Sequence, residues 1–282
     1  MLNISIDPVA FTIGSLEIRW YGIMAAIAVA SLLVIMLREA KRLDITRDIY
    51  SIFLCGVIGG VIGGRLAYVI YYWEYFMANP REIIGFSGLA QMGMIIGIFV
   101  AALIYMGVTR MRFSTLLSVG DAFVAAAFLA LAIGRIGCTL NGCCYGQPSP
   151  FHFFPLAVTY SPRNTMAPEY WGVPLYPTQI YHVLWNLIVF GIIWRFRGKF
   201  KPEGSLLFFG FSIYAIGDLG LRFLRGGRGV ILFWGLDIPQ VVDLAILVIF
   251  LSWLIFKMRR FRKQASVAEL ANEAALEQSH ED

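Results

Sequence analysis

Long apolar segments alternate with short polar ones along almost the whole chain. Seven of these segments are long enough to cross, or nearly cross, the hydrocarbon core of a bilayer as α-helices. They cover residues 20–37, 49–72, 89–108, 116–133, 180–194, 206–224 and 241–256. The segments are continuous and lack the two-residue alternation of a transmembrane barrel strand. The pattern predicts an all-α, polytopic membrane protein with about seven transmembrane helices.

The composition excludes the soluble alternatives. The chain has 282 residues, of which 59% are hydrophobic and 15% charged, and its mean hydropathy is +0.71. A soluble domain is nearer half apolar and a quarter charged. One soluble core could not bury this much apolar surface. An ordinary soluble enzyme, a disulfide-stapled secreted module and a disordered regulator are therefore excluded.

The positions of the lysines and arginines predict the topology. Of the 23 basic residues, four follow the first span, two the third, four the fifth and five the last. Because cytoplasmic loops carry the excess of Lys and Arg, the amino terminus is expected outside and the carboxyl terminus in the cytoplasm. The net charge of +5 is thus accounted for by topology, and no nucleic-acid partner is expected. The first span lacks a preceding basic region, so it is not expected to be a cleaved signal peptide.

Two segments follow from this division. Residues 1–263 form one integral membrane domain, and residues 264–282 form an acidic cytoplasmic tail that is either a loose helix or disordered.

Charged side chains inside the spans are the first functional signal, because they are costly in a bilayer. They are Arg65, Asp121, Arg135, Asp218 and Arg222. All except Asp121 are expected at the outer end of their helices, where Tyr21 also begins the first span. This set predicts a site for an anionic lipid headgroup. The alternative is that the arginines extend to the interface or pair structurally with Asp218.

Cysteine, histidine and glycine give weaker signals. Cys138, Cys143 and Cys144 lie at the outer end of the fourth span without the Cys-x-x-Cys pairs of zinc sites. We therefore expect small packing residues there, with a thiol-redox pair or a metal site as alternatives. His182 is a candidate for proton transfer. The glycines of the second span have the small-xxx-small spacing of close helix packing, which would hold Arg65 on a rigid element; they are Gly56, Gly59, Gly60, Gly63 and Gly64.

The segment Gly134-Arg-Ile-Gly-Cys-Thr-Leu-Asn-Gly-Cys-Cys-Tyr-Gly146 resembles the signature of the prolipoprotein diacylglyceryl transferases, Gly-Arg-x-Gly-Asn-x-x-Asn-x-Glu-x-x-Gly. The resemblance covers residues 7–256 in order. Its other parts are Asp7-Pro8, Trp20-Tyr21-Gly22, Gly63-Gly64-Arg65, Gly88 through Gly97, Asp121, Pro177 through Tyr181, and Tyr214 through Arg225. On this series the chain is identified as a member of that family.

The resemblance implies a membrane enzyme that uses phosphatidylglycerol as donor. It moves the diacylglyceryl group to the lipobox cysteine thiol of prolipoproteins, recognised by their signal peptides, and releases glycerol phosphate. The reaction takes place at the outer face of the bacterial cytoplasmic (inner) membrane, among membrane lipids and without a metal or organic cofactor. Arg135 is the first choice for holding the lipid phosphate and Arg65 the second, because a guanidinium can bind it with two parallel hydrogen bonds. Tyr21 and Asn141 would orient the headgroup.

The chain departs from the family pattern at several positions. Met92 stands where a His or Tyr often precedes Gly-Gly, Cys138 and Cys143 replace the signature Asn and Glu, and His182 replaces a Glu. The Arg and Glu four residues apart in the sixth span become Asp218 and Arg222, so Arg222 is expected to take the cationic role. His182 is expected to supply the general base. The alternatives are a non-catalytic lipid-binding homologue and a thiol-redox membrane protein.

Overall fold

The computed structural model describes residues 2–14, 16–85, 88–162, 165–227 and 231–281, and most of them are helical. The helices are α1 (Trp20–Leu43), α2 (Thr46–Tyr71), α3 (Trp73–Ala78), α4 (Gln91–Thr109), α5 (Phe113–Asn141), α6 (Thr178–Phe196), α7 (Ser205–Arg222) and α8 (Ile238–Glu281). The strands are β1 (Leu2–Ile4), β2 (Val9–Ile13), β3 (Leu16–Arg19) and β4 (Val158–Tyr160). The mainly helical prediction is confirmed, but the strands were missed because segments of three to five residues leave no clear hydropathy pattern.

Six helices in the described part of the chain are long and apolar enough to cross a membrane. They are α1, Ile49–Tyr71 of α2, Met92–Thr109 of α4, α5, α7 and Ile238–Gln264 of α8. Only 6% of the α4 span and 11% of the α8 span are buried inside the protein. So many outward apolar side chains need lipid rather than water around them. The protein is a multi-pass membrane protein.

The seventh predicted span corresponds to α6, which is not among those six. Four polar residues reduce its apolar character: Thr178, Gln179, His182 and Asn186, all of them buried. The count of seven and the orientation of the termini stay predictions. Beyond residue 263, α8 continues as a helix to Glu281, whereas the division into a membrane domain and a tail stays a prediction.

The chain divides into two compact units. The glycine unit is Met36–Val119, and the polar unit combines Met1–Ile35 with Gly120–Asp282. In the glycine unit, α2 and α4 touch backbone to backbone. A Cβ added to Gly63 would lie 2.4 Å from the Gly93 carbonyl oxygen, and one added to Gly97 would lie 2.1 Å from that of Gly59. The predicted close packing of the second span is confirmed, with α4 as its partner.

The core of the polar unit is formed by α5, α6 and α7. Val124 and Phe128 of α5 pack with Val189 and Ile193 of α6 and with Leu206 of α7. α7 is fixed further by Asp121 of α5, whose carboxylate accepts the backbone N–H groups of Gly204 at 2.7 Å and Leu207 at 2.8 Å. A carboxylate there satisfies N–H groups that the first turn of a helix leaves unbonded. The charge of Asp121 is therefore explained by helix capping.

The strands and the segment before α6 form a small region of their own in the polar unit. β1 pairs in parallel with β4, Leu2 opposite Val158 and Ile4 opposite Tyr160. β2 and β3 form an antiparallel hairpin that leads directly into α1. A buried hydrophobic cluster anchors the chain before α1 and between α5 and α6, which are helices that carry predicted site residues. It consists of Ile4, Val158, Tyr160, Met166 and Leu175.

Candidate active site

Arg135 lies in the last two turns of α5 and is partly buried. Within the described part of the chain its guanidinium has neither a hydrogen bond nor an ion pair. Its electrostatic neighbours are Cys144, Tyr214, Cys138 and Asp218, and Tyr21 is also within electrostatic range. The Arg135 nitrogens are not among the fully buried, unpartnered polar atoms of the described residues, so a ligand can reach the five N–H donors of the guanidinium. The arrangement suits an anionic ligand that supplies the acceptors.

Tyr21 and Asn141 border the same open groove, with a cavity volume of about 640 Å³. The groove lies along the start of α1 and the end of α5, and its other lining residues are Glu17, Ile18, Arg19, Gly22, Ile23 and Ala26. The two helices approach closely at Gly137, where an added Cβ would lie 3.0 Å from the Cβ of Met24. The amide of Asn141 donates to the Thr165 hydroxyl at 3.2 Å. The groove has the volume of a small-molecule site and mixes apolar with polar lining.

The segment after α5 carries the three clustered cysteines. Gly142 has a φ of 75° and ends the helix, with its N–H bonded to the Thr139 carbonyl and the Cys143 N–H bonded to that of Cys138. This is the Schellman arrangement, in which the side chains three residues before and two residues after the helix end come into contact. Those side chains are Cys138 and Cys143. The helix end thus brings together two sulfur atoms that are five positions apart in sequence.

Helix α6 and the segment after α7 hold this cysteine segment in place. Thr178 Oγ1 donates to the Cys144 carbonyl at 3.1 Å, and Gln179 Nε2 donates to the Cys143 carbonyl at 2.9 Å. Arg225 Nη2 donates to Cys144 Sγ at 3.4 Å. Hydrogen bonds from the thiols of Cys138 and Cys143, with the positive charges of Arg225 and Arg135, hold the pKa of the Cys144 thiol well below its usual range. Cys144 is thus held by polar contacts to both its carbonyl and its sulfur.

A buried charge network connects α6, α7 and α8. Asp218 accepts a hydrogen bond from Arg222 Nε at 2.6 Å and faces His182 Nε2 at 3.0 Å. Arg222 Nε also lies 2.9 Å from a carboxylate oxygen of Asp243 on α8. His182 Nδ1 donates to the Thr178 carbonyl at 2.6 Å, since a carbonyl can only accept. The predicted pairing of Asp218 with Arg222 is present, and His182 has both ring nitrogens engaged.

Arg65 belongs to the glycine unit and has a different environment. Its Nε donates to the Ile83 carbonyl at 3.0 Å and its Nη1 to the Gly88 carbonyl at 3.2 Å, while Nη2 donates to the Glu82 carbonyl. The guanidinium also lies 5.0 Å from the centre of the Phe76 ring. These contacts give Arg65 a structural role in fixing the segment between α3 and α4. They disfavour the expectation that it binds a lipid phosphate.

The sequence matches a known family over most of its length. The family model of prolipoprotein diacylglyceryl transferase matches residues 8–256. The chain belongs to this family. Among curated members it is 35% identical over 262 residues to the phosphatidylglycerol–prolipoprotein diacylglyceryl transferase of Dehalococcoides mccartyi, covering 92% of this chain and 97% of the relative. It is 31% identical over 262 residues to the enzyme of the same name from Clostridium tetani, covering 91% and 99% of the two chains. The identification made from the sequence is confirmed, and the protein is a transferase.

The polar unit contains five of the six residues predicted for the transferase site: Tyr21, Arg135, Asn141, His182 and Arg222. Asp243 was not predicted as a site residue. It is a charged residue inside the last predicted span, which is the same signal that selected Asp218. Arg225, which follows α7, was not predicted as a site residue either, although it ends the segment Tyr214 through Arg225 that resembles the family. No sequence signal indicated that Arg225 would contact a cysteine.

Proposed function

We propose that the protein transfers the diacylglyceryl group of phosphatidylglycerol to the lipobox cysteine of prolipoproteins at the outer face of the bacterial inner membrane. The substrate sulfur attacks the glyceryl carbon that carries the phosphate ester, and a C–S thioether bond forms. The C–O bond breaks with its electron pair on the departing glycerol phosphate, and the thiol proton passes to a base. Family membership supports the reaction, and the membrane spans support the location.

The single observation that carries this proposal is that the Arg135 guanidinium has no hydrogen-bond or ion-pair partner in the part of the chain that the structure describes. The leaving glycerol phosphate develops negative charge, and a positioned cation lowers the barrier only if it binds that charge better than it binds the starting ester. Because no described side chain forms a hydrogen bond or an ion pair with Arg135, its five N–H donors remain for the phosphate. Bidentate binding would fix the leaving oxygen relative to the attacking sulfur.

Tyr21 and Asn141 are proposed to bind the glycerol headgroup in the groove between α1 and α5. Both border the cavity of about 640 Å³, and Tyr21 lies within electrostatic range of Arg135. A phenol and an amide can each donate to, and accept from, the hydroxyls of the headgroup. This arrangement would hold the donor lipid with its phosphate near Arg135 and its acyl chains in the membrane.

We propose a positioning role for His182 in place of the general-base role expected from the sequence. Its ring is 3% exposed, and its two nitrogens face the Thr178 carbonyl and the Asp218 carboxylate. A ring held in this way has no free lone pair for a substrate thiol. Through Asp218 it would instead orient Arg222, which we propose as a second hydrogen-bond donor to the lipid headgroup, with its charge offset by Asp218 and Asp243.

The proposed topology has seven spans, with α6 included and the amino terminus outside. The polar residues of α6 are buried, whereas Leu184, Leu187 and Ile188 are 54%, 41% and 52% exposed. A helix with polar residues inward and apolar residues outward is suited to lipid on its outer face. With α6 as a span, the basic loops all lie on one side.

The test is transfer by purified protein in phosphatidylglycerol vesicles to a lipobox peptide, read by the peptide mass. Arg135→Ala should reduce the rate by about a thousandfold, the upper range for losing one transition-state donor. Arg81 is an exposed arginine in the short helical turn Pro80–Ile83, and Arg81→Ala is the matched control that should retain the wild-type rate. A folded Arg135→Ala protein with full activity would contradict the proposal. A wild-type protein that binds phosphatidylglycerol but forms no product would favour a lipid-binding homologue.

A further inference from the structure

The three cysteines at the end of α5 come closer together than their sequence spacing suggests. The sulfur atoms of Cys138, Cys143 and Cys144 all lie within 4.8 Å of one another, and no disulfide joins them. Three sulfurs around one zinc-sized ion lie about 4 Å apart, given a metal–sulfur bond of about 2.3 Å. The cluster is thus within about 1 Å of the spacing that a shared ion needs.

The backbone explains why two adjacent cysteines can share one site. Cys144 has a φ of 59°, in the left-handed region that a residue with a Cβ seldom adopts. This conformation turns the chain sharply between Cys143 and Cys144, so that both side chains approach Cys138. A strained residue of this kind persists only where its surroundings hold it. Here the carbonyls of both adjacent cysteines are fixed by Thr178 and Gln179 of α6.

The charges around the cluster favour a metal thiolate. Three thiolates and one divalent ion carry a net charge of −1, and Arg225 Nη2 already lies 3.4 Å from Cys144 Sγ. Arg135 adds a second positive charge within electrostatic range. Donors of this kind around ligating sulfurs stabilise a bound metal. The Cys143 thiol, which points to the Cys138 carbonyl at 3.9 Å, would rotate away from it on losing its proton.

We propose that Cys138, Cys143 and Cys144 form a three-thiolate binding site for a soft, thiophilic metal ion such as Zn²⁺, Cd²⁺ or Cu⁺. Thiolates select these ions over the hard cations that prefer oxygen ligands. Binding replaces three S–H bonds with three S–metal bonds, and the three thiol protons pass to solvent. The transfer reaction uses no step through the metal, although Arg135 and Tyr21 lie within electrostatic range of the cluster.

The experiment titrates reduced, full-length protein in phospholipid nanodiscs with Cd²⁺ under argon. The readouts are the ultraviolet thiolate-to-cadmium absorption band and the number of ions bound after dialysis. We expect one Cd²⁺ per chain at the cluster. Cys138→Ser, Cys143→Ser and Cys144→Ser should each weaken binding by at least about tenfold, the smallest loss known for an outer-shell partner. Cys55 lies in α2, and Cys55→Ser is the matched control that should bind as the wild type does.

Two results would overturn the proposal. One is the absence of the band in folded wild-type protein. The other is a band and affinity that survive any one of the three cluster substitutions, which would mean that fewer than three sulfurs bind the ion. Since Cys138 is buried, Cys138→Ala is tested beside Cys138→Ser, and thermal unfolding identifies variants that fail to fold. Cys143→Ser and Cys144→Ser, at partly exposed positions, then decide the question on their own.

Discussion

Two arginines for which the sequence predicts the same role, Arg135 first and Arg65 second, differ sharply in the structure. Arg65 of the glycine unit and Arg135 of the polar unit both lie toward the predicted outer ends of membrane helices. Arg65 donates from all three guanidinium nitrogens to carbonyls of its own unit, whereas Arg135 has no hydrogen-bond or ion-pair partner among the described residues. Both side chains carry the same charge, but Arg65 is bonded within its own unit, whereas we propose an anionic ligand as the partner of Arg135. A charged residue in a membrane span therefore identifies function only after its partners are known.

The two units also differ in how their helices are held. In the glycine unit, α2 and α4 meet through bare backbone, and Gly63, Gly93 and Gly97 leave no space for a side chain. In the polar unit, α6, α7 and α8 are linked through His182, Asp218, Arg222 and Asp243. Backbone packing tolerates no added atoms, while a polar network tolerates a change that preserves its hydrogen bonds. Substitutions in the two units should therefore differ in their effects.

Exchanging each arginine for glutamine should separate the two roles most clearly. Arg135→Gln should reduce transfer by about a thousandfold, or about 4 kcal/mol, while leaving the thermal midpoint close to that of the wild type. Arg65→Gln should lower the thermal midpoint and leave the transfer rate per folded molecule close to that of the wild type. The reason is that three carbonyls lose a charged donor and each such bond contributes about 1.5–3 kcal/mol. The measurements are transfer rate per folded molecule and thermal unfolding in the same vesicles.

Two results would contradict this contrast between Arg65 and Arg135. If Arg65→Gln lost activity as severely as Arg135→Gln at an unchanged thermal midpoint, Arg65 would be part of the phosphate site and its structural role would be secondary. If Arg135→Gln unfolded at a much lower temperature, its guanidinium would be structurally engaged after all.

Filling the α2–α4 contact should be the next most damaging change. Gly97→Val places a side chain where a Cβ alone would lie 2.1 Å from the Gly59 carbonyl oxygen, so the helices must separate. We expect a loss of about 3 kcal/mol or more in stability, the upper range for overpacking. Gly107 lies on the same helix with nothing within 4 Å of an added Cβ, and Gly107→Ala should be neutral or slightly stabilising. Equal thermal midpoints for both variants would contradict the close contact.

The fold was predictable wherever one local property decided it. Continuous apolar runs gave six of the predicted spans, and the glycine spacing of α2 gave its close contact. Tyr21, Arg135 and Asn141 were predictable as a group because a local motif on α5 carries two of them. Asp218 and Arg222 were predictable as a pair because residues four apart share a helix face.

The rest depended on partners that a sequence does not display. Arg65 and Asp121 are satisfied by backbone groups of distant segments, Asp121 by the N–H of a residue 83 positions away. Backbone groups are the same at every position, so no residue type marks them. The cysteine cluster depends on a helix end and on the left-handed conformation of Cys144. The spacing Cys-x₄-Cys-Cys argues against a shared metal site only where the backbone around it is regular.

Replacing His182 should have a moderate effect if its role is positioning. His182→Gln retains an amide that can donate to the Asp218 carboxylate, so we expect a rate within about tenfold of the wild type and an unchanged pH–rate profile. Loss of a general base would cost about a hundredfold to ten-thousandfold and would remove one limb of that profile. His182→Leu, which cannot form a hydrogen bond, should be worse than His182→Gln because it leaves Asp218 with one fewer donor. Equal and severe losses in both variants, with the limb gone, would restore His182 as the base.

The smallest expected effect concerns Asp121, whose charge the structure assigns to the start of α7. Asp121→Ala removes the acceptor for the N–H groups of Gly204 and Leu207, and losing a helix cap costs about 1 kcal/mol, within a range of about 0.5–2. The transfer rate per folded molecule should be unchanged, since Leu207, Phe211 and Tyr214 also pack α7 along its length against the core formed with α5 and α6. Ser118 lies on the same helix and bonds only one turn back, to Ser114, so Ser118→Ala should change the thermal midpoint less than Asp121→Ala. A lower transfer rate for Asp121→Ala at wild-type stability would instead show that this carboxylate takes part in the reaction. Asp121 would then be a charged functional residue, as we propose for Arg135.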